Sequence, residues 1–61
     1  MRDEEILEII NNELEKWYHI YDELKMKAPH WTTWCAGVIN ALYQWREAIK
    51  LKIQMDKNSK T

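Results

Sequence analysis

The sequence predicts an all-α protein: an antiparallel hairpin of two long helices that pairs with a second copy to make a four-helix bundle. Three observations predict it. Apolar residues recur at alternating gaps of three and four along two long stretches. A single proline, Pro29, lies between the stretches, and the chain has only one glycine. Finally, 61 residues with one cysteine cannot close an internal disulfide or wrap a large core, so stability calls for a partner chain.

The first helix is expected over about residues 3–27. Leu7, Ile10, Leu14, Trp17, Tyr21, Leu24 and Ala28 form its heptad seam. Ile6, Ile9, Tyr18 and Ile20 widen that seam to roughly half the circumference. Asp3, Glu4 and Glu5 fall in the first turn, where acids favour the positive end of the helix dipole.

Pro29 ends this helix. It disfavours the helical conformation at Ala28 and suits the first position of a following helix. A turn over about 28–30 is too short for anything but antiparallel neighbours. The second helix is expected over about 30–55, with Trp31, Cys35, Val38, Leu42, Trp45, Ile49 and Ile53 as its stripe. Residues 56–61 read as a mobile tail, and the whole chain, 1–61, as one domain.

Charge supports the fold-back. Residues 1–30 carry eight acids and four bases, while residues 31–61 carry two acids and five bases. Antiparallel packing brings Asp3, Glu4, Glu5 and Glu8 toward Lys50, Lys52 and Lys57. Each exposed pair contributes at most about 1 kcal/mol, but together they favour this register.

Each helix carries more apolar surface than one seam hides. Ile9 and Ile20 flank the first; Gly37, Ala41 and Ala48 flank the second, where small side chains admit a close neighbour. These five residues are the expected dimer or hairpin interface. Bare, they would leave an apolar patch larger than monomers usually carry.

The chemistry on offer is sparse. A Cys–His nucleophile needs hydrogen-bond reach between its members. His30 and Cys35 point about 140° apart on a helix, and Cys35 falls on the core stripe, where a thiol behaves as a small hydrophobe. With His19 on a polar face, no metal, cofactor or catalytic residue is expected. Glu13 lies inside the apolar arc and needs a partner. Arg46 is the nearest candidate; a basic group on another molecule is the alternative.

The aromatics are four Trp, three Tyr and no Phe, a bias typical of interfaces, where one ring edge stays wet. Trp17, Trp31 and Trp45 are expected to fill the bundle core. Trp34 borders the small-residue flank. Ile39, Tyr43, Arg46 and Lys50 make a candidate exposed docking strip, Tyr and Arg being frequent hot-spot types. Glu13, Trp34 and these four are the expected partner-binding residues.

The net charge of −1 gives the whole molecule no strong pull toward nucleic acid or anionic membrane. No apolar run reaches the roughly 20 residues of a membrane span. The acidic start lacks the basic region of a signal peptide, and an unpaired cysteine suits a reducing cytoplasm. The expected function is a small non-catalytic regulator or inhibitor that binds another protein through a helix face of the hairpin dimer. Compact regulators of this kind are common in phages and mobile elements, and a host cytoplasm is then the expected compartment. The alternative is nucleic-acid binding through the basic half of the second helix.

Overall fold

The computed structural model describes residues 1–59. It is an all-α hairpin: α1 spans Asp3–Lys27, a short 3-10 turn spans Pro29–Trp31, and α2 spans Thr32–Asn58. At 1.5 Å rise per residue the helices are about 37 and 40 Å long. They pack along one seam into a rod of 52 × 16 × 14 Å, a cross-section with room for two helices only.

The turn is built as the proline dictates. The Ala28 N–H donates to the Leu24 carbonyl at 2.8 Å and closes α1. Ala28 itself leaves the helical region, at φ −150° and ψ 67°. Pro29 then opens the 3-10 turn, which the Trp31 N–H closes on the Ala28 carbonyl. The Thr32 hydroxyl donates to the Pro29 carbonyl at 2.7 Å. It therefore satisfies a carbonyl of the turn and does not cap an N–H of α2.

The buried core is small: Ile10, Leu14, Cys35 and Ile49. Ile6, Leu7, Ile39, Leu42 and Ile53 pack around it, each half-buried. Cys35 is fully buried, and its thiol donates to the Trp17 carbonyl at 3.8 Å. A thiol so placed is a packing residue, with His30 exposed against the Trp31 ring instead of beside it.

The single hairpin refines three expectations. Within it Trp31 and Trp45 are not buried, each being 51% exposed, so the bundle core they are expected to fill would need a second copy. One seam between two helices is filled by Ile10, Leu14, Leu42 and Ile49, and both tryptophans fall on its flank. The mobile tail was expected from residue 56, but α2 continues to Asn58. There the Ser59 N–H reaches the Met55 carbonyl at 2.9 Å and its hydroxyl reaches the Asp56 carbonyl, which secures the last turn. Residues 60 and 61 of that expected tail lie outside the described residues. Finally, Arg46 does not pair with Glu13 within the chain, for a reason that lies in the two faces of the hairpin.

Candidate interaction faces

A two-helix layer has two broad sides, and here they differ in chemistry. One side carries tryptophan. Trp17, Ile20 and Leu24 of α1 line an open apolar groove with Trp31 and Trp34. Trp34 meets Trp17 edge-on at 5.8 Å between centroids and Trp31 at 6.2 Å, geometry that aromatic quadrupoles favour. It is nonetheless 58% exposed. Ala41, Trp45 and Ala48 continue this side along α2 at helical spacing, and Ile9, Glu13 and Ile20 continue it along α1. Ile9, Gly37, Ala41 and Ala48 are exposed, and Glu13 and Ile20 are half-buried.

The opposite side carries tyrosine. Tyr18 and Tyr21 of α1 face Ala36, Ile39, Asn40 and Tyr43 of α2 across a second apolar groove. The Arg46 guanidinium lies over the Tyr43 ring, 4.8 Å from its centroid. Arg46 Nη1 donates to Asn11 Oδ1 at 3.4 Å, and Nε pairs with Glu47 Oε2 at 3.5 Å. That Nε is buried and makes no hydrogen bond, since the carboxylate contact is electrostatic only. Lys50 also turns to Glu47, at 3.5 Å.

This division explains Glu13. Asn11 and Glu13 project about 200° apart around α1. Arg46 is held at the Asn11 side, so the Leu14 seam separates it from Glu13. Ile39 also departs from expectation: it is half-buried against the core, so Tyr43 and Lys50 are the exposed members of that strip. Tyr18 and Tyr21, which periodicity assigns to the seam, join Tyr43 in its groove; only the register of α1 against α2 reveals that.

Of the expected fold-back charge pairing, the Lys52–Asp3 contact is present at the open end, whereas Lys50 turns to Glu47. Lys52 Nζ lies 3.1 Å from Asp3 Oδ2. The hydrogen bond to Asp3, and then the charge of Asp3, raise the Lys52 pKa above its ordinary 10.5. Lys57 borders the same polar hollow with Arg2 and Glu4. The basic half of α2 is thus interleaved with carboxylates.

Among the described residues no helix is long and apolar enough to cross a membrane. No group of three or more His, Cys, Asp and Glu residues among them is placed to hold a metal ion. No family model, curated protein or solved structure matches the chain.

Proposed function

We propose that the protein is a non-catalytic, protein-binding regulator that works as a hairpin dimer. The observation that carries this reading is the mismatch between a core of four buried side chains among the described residues and the apolar surface left outside. Ile9, Trp31, Trp34, Trp45, Leu51 and Met55 are all exposed in the single hairpin. A chain of about 60 residues is marginal even with a full core, so covering one side with a second copy is the economical remedy. The tryptophan side, with its small residues on α2, suits that copy.

The tyrosine side then remains for another protein. It combines an open apolar groove with Tyr43, Arg46 and Lys50 at its rim. Aromatic and Arg anchors beside a groove are the usual composition of a hot spot. Nucleic-acid binding draws less support, because Lys52 is engaged by Asp3, and Arg46 and Lys50 by Glu47.

Affinity capture from the native host tests this reading, with wild type and Tyr43→Ala compared side by side. The expected result is a defined protein retained by wild type and lost at least tenfold on Tyr43→Ala, about 1.4 kcal/mol. Capture of nucleic acid, released steeply by salt, would replace the reading.

A further inference from the structure

Two heptad rows lie on the tryptophan side, one per helix, and the hairpin leaves them largely uncovered. On α1 the row is Ile6, Ile9, Glu13, Lys16, Ile20 and Glu23, with gaps alternating three and four. On α2 it is Trp34, Gly37, Ala41, Gln44, Ala48 and Leu51, with the same alternation. The α1 row is self-complementary about its midpoint, between Leu14 and Glu15. Glu13 mirrors Lys16, and Ile9 mirrors Ile20. An antiparallel copy of the row laid across it therefore sets acid against base and isoleucine against isoleucine, twice each, in the inner layers, and Ile6 against Glu23 in the two exposed end layers. An isologous two-fold contact has this form: residue i meets j, and j meets i.

The match is specific to one register. A slide of one heptad in one direction puts Glu13 against Ile9 and Lys16 against Ile6. The opposite slide puts Glu13 against Glu23 and Lys16 against Ile20. Both set the central Glu13 and Lys16 against apolar or like-charged groups, whereas the central register confines a charge facing an isoleucine to the end layers, where Glu23 is exposed and paired with Lys27.

The α2 row gives an independent check. The Arg46–Asn11 contact sets Leu42 and Tyr43 beside the α1 midpoint, and the Lys52–Asp3 contact sets it within one turn of them. Antiparallel pairing of the α2 row about Leu42–Tyr43 opposes Trp34 to Leu51, Gly37 to Ala48 and Ala41 to Gln44. Small side chains meet at Gly37 and Ala48, Ala41 meets the longer Gln44 at the centre, and the large Trp34 and Leu51 meet at the ends. A Cβ added at Gly37 would meet nothing within 4 Å in the hairpin, so that position is open to a second helix.

We infer that a second copy docks on the tryptophan side about a dyad perpendicular to the helices, passing beside Leu14 and Leu42. Glu13 of each chain pairs with Lys16 of the other. This inference rests on the dimer reading above and adds its register.

A charge-reversal pair tests it. Glu13→Lys alone sets two lysines against each other in both central layers of a homodimer, and Lys16→Glu alone sets two glutamates. Mixed together, the two variants complement each other across the interface, although within each chain the charges at 13 and 16 remain alike. Sedimentation equilibrium should find each variant alone dimerising at least about tenfold more weakly than wild type. The mixture should form a heterodimer within about threefold of wild type. Helical circular dichroism and a mass spectrum of the native heterodimer accompany the measurement. A wild-type dimer whose two variants gain nothing on mixing overturns this register and leaves the dimer reading standing. A monomeric wild type overturns both.

Discussion

Gly37 states the case at the scale of one residue. It sits inside α2, where glycine costs about 0.5–1 kcal/mol relative to alanine. No positive φ calls for it, since none occurs among the described residues, and the hairpin places nothing near its missing Cβ. The close approach of the second copy proposed above would offset that cost. Gly37→Leu should therefore keep or raise the helical signal while weakening dimerisation at least about tenfold, the size of an overpacking penalty of 1–3 kcal/mol. A Leu variant that dimerises as wild type does would remove the close approach. Residue identity was legible unevenly in the sequence. Cys35 fell on the core stripe and is buried. Trp31 and Trp45 share that stripe's spacing yet stay half exposed, because periodicity gives direction around a helix and not how far the neighbour reaches. Glu13 and Arg46 oppose each other in sequence register, but the Leu14 seam lies between them.

At the scale of elements, the sequence was a good guide. The alternation of three and four gave both helices, and Pro29 gave the turn between them within a residue or two. The 3-10 turn was not legible, since it depends on how the Ala28 and Pro29 carbonyls find donors. The C-terminal end was placed too early because hydrophobic spacing fades before the helix does. Lys57 suits the negative end of the helix dipole, and Ser59 secures the last carbonyls. The charge asymmetry between the halves is realised in Lys52–Asp3. Because the folded Lys52 pKa is raised, the pair's contribution is fully present below the ordinary value of 10.5. It is lost as pH rises through the higher folded value. An NMR titration of the Lys52 side chain should show its midpoint fall in Asp3→Asn. An unchanged midpoint would mean that the two groups do not meet in solution.

At the scale of the molecule, the hairpin has an outside that is too apolar for its inside. Its two sides divide the surface: tryptophan and small residues on one, tyrosine and arginine on the other. Helical periodicity supplied the list of flanking residues. It could not sort them into sides, because that requires the rotation of each helix about the shared seam. Once sorted, Ile9, Ile20, Gly37, Ala41 and Ala48 fall on the side proposed for a second copy, whereas Tyr43 and Lys50 fall on the side proposed for another protein. The dimer links these proposals, and it also implies a melting temperature that rises with protein concentration. Sedimentation equilibrium of the wild-type chain at micromolar concentration tests it most directly. A folded, helical species of twice the 7.5 kDa chain mass is the expected result. A folded species of a single chain mass, persisting as concentration rises, would contradict it.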